Sequence, residues 1–347
     1  MNLIRFILLL GVSLLLACQT TKKLTKEVIE QQATTAKKNG KWLKAAQLFE
    51  QLYQRSPTNE DANYEAGTNY LKANHLQKGL KILKSFDPNN DNKEKEWNGR
   101  LARLAKAYYK TEQFSEVQKI VEQYAYPKMY RGLAREHVKS LIQLNKTEAL
   151  ANYFLQYQET GIYDDKGKST NLGFLYRAIC NELLLVGKLD LLRKYAAEYA
   201  TWAEQRLPKD KLNWAIASFY FQSYGQAIPH LQAAIDQEKS GRHQLELIGL
   251  LGICYAKENR LAAVQQQVDK IKTFPTLPPR HDAFGATSYH QARIEVALGR
   301  QEEAIQSLQQ ALNDKAEFWS NRFKEDGLLK ELFGRVDFEG LVAEKEN

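Results

Sequence analysis

Leu250–Ile271 reads LLGICYAKENRLAAVQQQVDKI, and the spacing inside this stretch decides the fold. Gly252, Tyr255 and Leu261, followed by an apolar ladder at Val264, Val268 and Ile271, predict two amphipathic helices joined by a polar turn from Lys257 to Arg260. Gly252 lets a neighbouring helix approach closely, Tyr255 is expected to fill the wedge between helices, and the ladder gives the second helix one apolar stripe. Two helices this short cannot bury their faces alone, so the unit requires neighbours like itself.

Copies of the unit run along the chain. Ala66, Gly67, Tyr70, Leu76, Gly79, Leu83 and Phe86 repeat its spacing, preceded by Ala33, Gly40, Trp42, Ala45, Phe49 and Leu52 and followed by Leu104, Ala105, Tyr108, Phe114, Val117 and Val121. A fourth unit is weaker, with Val138 where a small residue is wanted; Cys180 takes that place in the fifth, Ala215 in the sixth, Gly252 in the seventh and Ala292 in the eighth. The first ladder residues of the second helices fall at 45, 79, 117, 150, 192, 227, 264 and 304.

This period resembles the tetratricopeptide repeat, which recurs about every 34 residues. The resemblance implies an all-α, right-handed α-solenoid of about eight helix pairs over residues 26–315. Extra residues are expected between units, at Asp87–Trp97, Gly161–Thr170 and Phe274–Gly285. Residues 316–347, which include FKEDGLLKELFGRVDFEGL from Phe323, resemble the closing segment of such arrays, with Leu328, Leu329, Leu332, Phe338 and Leu341 expected to cover the last repeat.

At the N-terminus Arg5 precedes an apolar run, Phe6–Leu16, that is too short for a membrane span of about 20 residues. Leu15-Leu16-Ala17-Cys18 resembles the lipobox of bacterial lipoproteins. That implies a cleaved signal peptide over 1–17, lipidation of Cys18 and a short tether over 18–25. Gln19, rather than Asp, follows the cysteine, so the expected location is the periplasmic face of an outer membrane. Lys22, Lys23 and Lys26 are placed to meet anionic headgroups.

The chain has 347 residues, 44% of them hydrophobic and 26% charged, and a formal net charge of +8. That is a globular composition suited to an acidic protein or another polyanion. No zinc-ligand spacing, RNP-type motif or basic-region helix occurs, so no nucleic-acid partner is expected. HExxH, GxSxG and phosphate-cradling glycine loops are likewise missing, so no enzyme activity, metal or cofactor is expected. Asp87, Asn89 and Asp91 alternate like a calcium loop, but Asn92 and Asn98 stand where Gly and Glu are needed. The histidines read as surface or packing residues, and Cys180 and Cys254 lie two repeats apart, too far for a disulfide.

With chemistry set aside, the first (A) helices of the pairs become the working surface. In arrays of this type they line a concave groove where ligands bind. Relative to each unit's small residue, offsets of −6, −3, +1, +4 and +5 share one helix face. That stripe carries Lys37, Lys38, Lys72, Lys106, Lys110, Arg135, Lys139, Arg177, Lys209, Lys257 and Arg293, against the acids Glu27, Glu30, Asp61 and Glu246. Aromatic residues share it at Tyr64, Tyr109, Phe174, Phe219, Tyr220 and Tyr289. The family's chaperone-binding members clamp carboxylates with Lys, Arg and Asn of neighbouring units, and Arg135, Lys139, Arg177 and Asn181 have compatible chemistry. The expectation is a scaffold that holds an acidic, partly apolar protein or peptide partner in this groove, in envelope assembly or maintenance. The rival reading is a lipoprotein holding cell-wall polymer or lipopolysaccharide by its basic stripe.

Overall fold

The computed structural model describes residues 25–85, 94–124, 129–163, 169–170, 172–207, 211–221, 223–275 and 285–343. Cys18, the whole N-terminal leader and the Asp87–Asp91 stretch lie outside them. Eight antiparallel helix pairs follow one another: α1 (Lys26–Lys38) with α2 (Trp42–Arg55), α3 (Glu60–Lys72) with α4 (Leu76–Lys84), α5 (Glu94–Lys110) with α6 (Phe114–Tyr124), and α7 (Arg131–Gln143) with α8 (Thr147–Thr160). The second half continues with α9 (Gly173–Leu185) and α10 (Leu189–Glu204), α11 (Lys211–Tyr220) and α12 (Tyr224–Gln237), α13 (Gly241–Lys257) and α14 (Leu261–Lys272), and α15 (Ala286–Ala297) and α16 (Gln301–Phe323). Ala45, Gly79, Val117, Leu150, Leu192, Ala227, Val264 and Ala304 all fall in second (B) helices and all are buried, as the ladder requires.

One turn geometry recurs between A and B helices. Two residues before the B helix stands a residue with positive φ: Gly40, Asn74, Glu112, Asn145, Gly187, Asn259 or Gly299. The next residue's N–H reaches back to a carbonyl five positions earlier, as in Lys41 to Ala36 at 2.9 Å, His75 to Tyr70 at 2.9 Å and Arg260 to Tyr255 at 2.8 Å. This satisfies carbonyls at the end of the A helix and reverses the chain in minimal length. Gly and Asn tolerate the left-handed backbone well; Glu112 is the residue there that gains nothing from it.

Curvature follows from how the pairs stack. Successive A helices touch across repeats, most closely α5 with α7, α7 with α9 and α13 with α15, and B helices approach one another far less. The A helices therefore lie on the inside of the bend. At Gly252 of α13 an added methyl group would collide with Ile294 Cδ1 of α15 and sit 2.9 Å from its Cγ1, so glycine sets that helix spacing. The bend is tight enough that α16, the last B helix, reaches α3 of the second repeat.

Repeats three to eight share one continuous apolar core that also takes in residues as late as Val342, whereas two smaller clusters lie around Ile29 in the first two repeats and around Leu80, where Ala107 of the third repeat joins the second. Cys180 and Cys254 are buried free thiols within the large core.

Three details depart from the sequence reading. α5 begins at Glu94, inside the stretch expected to be an inter-repeat insertion. The insertion after α8 supplies two strands of a three-stranded sheet of two-residue strands: β1 (Met129–Tyr130), before α7, pairs parallel with β2 (Ile162–Tyr163), which pairs antiparallel with β3 (Ser169–Thr170). The boundary expected at 315 falls inside α16, which continues to Phe323.

The closing segment also takes an unexpected path. α17 (Val336–Val342) packs on α16 of the last repeat. The 3-10 helix Gly327–Leu332, however, lies against α9 and α15, two A helices on the inner face. Phe323, Leu329, Leu332 and Phe338 are fully buried, each contributing roughly 1.5–3 kcal/mol by leaving water. The tail is thus docked inside the groove.

Candidate functional site

The groove expected to be open for a partner is filled at its centre by the chain's own tail. Glu325 and Asp326, adjacent in sequence, enter two separate basic clusters. Lys110 Nζ of α5 lies 2.7 Å from Glu325 Oε1, with Lys106 and Lys139 close enough to act on the same carboxylate. Burial would raise the Glu325 carboxyl, but Lys110, Lys139 and Lys106 outweigh it and hold it well below the usual carboxylate range. On the other side, Arg293 Nε lies 3.2 Å from Asp326 Oδ2 and the Tyr289 hydroxyl donates to the same oxygen. Tyr289 in turn stacks on Phe323, ring centroids 6.0 Å apart and interplanar angle 10°.

Between these clusters the tail's main chain is read by side chains. Asn181 Nδ2 donates to the Glu325 carbonyl at 2.8 Å, and Asn181 Oδ1 accepts the Gly327 N–H at 3.2 Å. Lys330 Nζ donates to the Leu184 carbonyl at 3.1 Å. A methyl group at Gly327 would lie 2.9 Å from both the Asn181 carbonyl oxygen and the Leu185 nitrogen. Only glycine allows the tail to lie this close to α9.

Lys106, Lys139, Asn181 and Arg293 all stand at offset +1, immediately after the small residue of their A helices, which is why units so far apart in sequence converge on one segment. The other expected groove residues divide into groups. Arg135 pairs with Glu136 at 2.6 Å, and Lys139 lies 3.7 Å from Glu136 Oε2, 3.8 Å from Glu182 Oε2 and 3.7 Å from the Tyr109 ring centre. The Tyr109 hydroxyl donates to Glu182 at 2.5 Å, and Gln143 donates to the same oxygen. Phe219 is buried, packed edge-on against Tyr220 and Tyr224. With Tyr220, Lys257 and Arg293 it lines an open cavity of about 130 Å³ that Gly327, Leu328 and Lys330 also border. Arg177 is half-buried on α9.

Lys72 stands apart from the tail. Its ammonium sits 4.3 Å from the Trp42 ring centre, and burial, together with Arg103 and Lys37, lowers its pKa to about 8. It lines a cavity of about 540 Å³ over repeats one and two, together with Lys37, Lys38, Phe49, Asp61 and Glu65. This is the part of the groove that the tail leaves uncovered.

Glu136 and Glu182, both buried, are the carboxylates that sequence reasoning missed. They lie two residues before Val138 and two after Cys180, on the same flank of the stripe but outside the offsets used to read it. The adjacent acids Glu325 and Asp326 fall in the segment expected to be a cap, and the structure places them in the groove. His137 is buried and packs in the core: its Nδ1 lies 2.6 Å from the Tyr157 hydroxyl, and burial lowers its pKa to about 3. Among the described residues, no group of three His, Cys, Asp or Glu is arranged to hold a metal ion, and no helix is long and apolar enough to cross a membrane.

Residues 36–102 match the tetratricopeptide repeat family. The chain is an all-α array of tetratricopeptide-like helix pairs: the match covers the second repeat and parts of its neighbours, and the helix pairing continues the pattern to α16. A crystal structure of a tetratricopeptide repeat protein from Parabacteroides merdae ATCC 43184 is 11% identical, covering 91% of this chain and 97% of that one with a TM-score of 0.43. The P58(IPK) TPR domain is 16% identical, covering 94% of this chain and 98% of that one with a TM-score of 0.21. No curated protein matches this chain. Repeats of this type bind protein partners in general.

Proposed function

We propose that this protein is a membrane-tethered adaptor that holds an acidic segment of a partner protein in the groove of its A helices, in the assembly or upkeep of a bacterial envelope. The tether is Cys18, lipidated as the lipobox resemblance implies, at the periplasmic face of an outer membrane. The observation that carries the reading is the way Asn181, Lys110 and Arg293 grip a chain segment by its main chain and its carboxylates together. A surface built to do that to the tail is chemically able to do it to a partner.

The uncovered cavity of repeats one and two, with Lys38 and Lys72, is the natural point of entry. It belongs to the repeats that follow the tether directly in sequence. Holding a polyanion draws less support, because Lys37, Lys110, Lys139 and Arg135 are already engaged by carboxylates of the chain itself.

Cross-linking pull-down from intact cells, read by mass spectrometry, tests the reading. Lys38→Glu combined with Lys72→Gln should abolish capture of the partner while circular dichroism stays unchanged. Capture that persists at wild-type level would remove the groove from the mechanism. Raised salt should weaken capture only in part, since the contact includes apolar surface.

A further inference from the structure

The tail's docking combines core packing with the contacts of a bound ligand. Beside the buried Phe323, Leu329 and Leu332, it is held by main-chain hydrogen bonds to Asn181 and by carboxylates placed in basic clusters. The fit is also incomplete. Besides the cavity of about 130 Å³ under Gly327 and Leu328, one of about 500 Å³ remains where Lys324, Glu325 and Phe333 face Tyr109 and Phe114 of the third repeat. Both spaces are open to solvent along the edge of the docked segment.

We propose that Phe323–Leu332 is an internal ligand of the groove, and that the partner is a protein segment with the same order of groups: an aromatic residue, two adjacent carboxylates, a glycine and paired leucines. The partner segment binds by displacing the tail. This rests on the adaptor reading and names the chemistry of its ligand. Tethering gives the tail a high effective concentration, so an external segment meets a groove that is open only a fraction of the time. The uncovered first two repeats allow a partner to gain a foothold before the tail leaves.

The probe is a fluorescent peptide of residues 321–333, NRFKEDGLLKELF, titrated by anisotropy against the full chain. Gly327→Val should expel the tail without altering any groove side chain, because the clash is with the α9 backbone. This variant should bind the peptide at least tenfold more tightly than the wild type. A peptide with both acids replaced by their amides should lose that gain. In the wild type, saturating peptide should speed amide exchange in 323–332 while α9 stays protected. A second full-length variant, Glu325→Lys with Asp326→Lys, releases the tail through charge instead of packing and should also bind the peptide more tightly.

If both variants keep wild-type helical content and neither binds the peptide, the proposal is overturned. It is equally overturned if both lose helical content, since the tail is then a brace the fold cannot release. Partner capture in cells without peptide exchange would leave the adaptor reading standing and sink only this one; peptide exchange without capture would do the reverse.

Discussion

Lys110, at the end of the third repeat's A helix, holds Glu325, beyond the eighth repeat, at 2.7 Å. Glu325→Gln keeps the shape of the side chain and removes the charge, so at pH 7 it should lower stability by about 1–3 kcal/mol. The folded carboxyl is held below its unfolded value, so its contribution is present above about pH 4.3 and fades as pH falls through the folded value. Melting curves of wild type and variant should differ at pH 7 and converge in acid. A constant difference down to the lowest pH would show that the charge is not what matters.

Lys106 is the opposite case. Burial lowers its pKa to about 7, with Glu325 only partly offsetting the effect. The unfolded chain therefore binds a proton that the folded chain releases between about pH 7 and 10.5, and stability contributed by this group rises with pH across that window. Lys106→Met should stabilise the protein by roughly 1–2 kcal/mol at pH 6. That advantage should shrink towards zero by about pH 10.5. Denaturant titrations at four pH values would show it, and a variant less stable than wild type at pH 6 would contradict it.

Gly252 and Ile294 set the spacing of α13 and α15, since a methyl group at the first would meet the end of the second. Gly252→Ala should cost about 1–3 kcal/mol by overpacking. Adding Ile294→Val, which withdraws the colliding carbon, should recover part of that loss, so the two changes are non-additive. Additive losses in thermal denaturation would mean the helices move apart freely.

Cys18→Ser should move the protein from the membrane fraction to the soluble fraction of cells, with no change in helical content after purification. Unchanged sedimentation with membranes would remove the lipid anchor.

The repeat framework was legible because it is written in local spacing. Every marker from Ala45 to Ala304 serves its own helix pair, and its burial depends on neighbours at fixed offsets. The groove was legible in composition: Lys106, Lys139 and Arg293 follow from their place after the small residue, and Asn181 from the resemblance to carboxylate clamps. What they touch was not, because the tail joins them through tertiary docking, which leaves no periodic trace. Glu136 and Glu182 were missed for a related reason. A stripe defined by offset counts what faces the groove's centre and omits the flank that pairs with it. The Glu325-Asp326 pair, opposite in charge to the stripe, was the available clue.

In an array held by neighbour contacts alone, each repeat can hinge slightly on the next, and the whole behaves as a soft spring. Asn181 and Lys110 alter that mechanics by fastening the fifth and third repeats to the strap that follows the eighth. The coil becomes a buckled hoop with a set pitch. Tension between its ends would load a few polar bonds at the buckle before any helix pair yields, and once these part, the hoop would lengthen as a compliant coil.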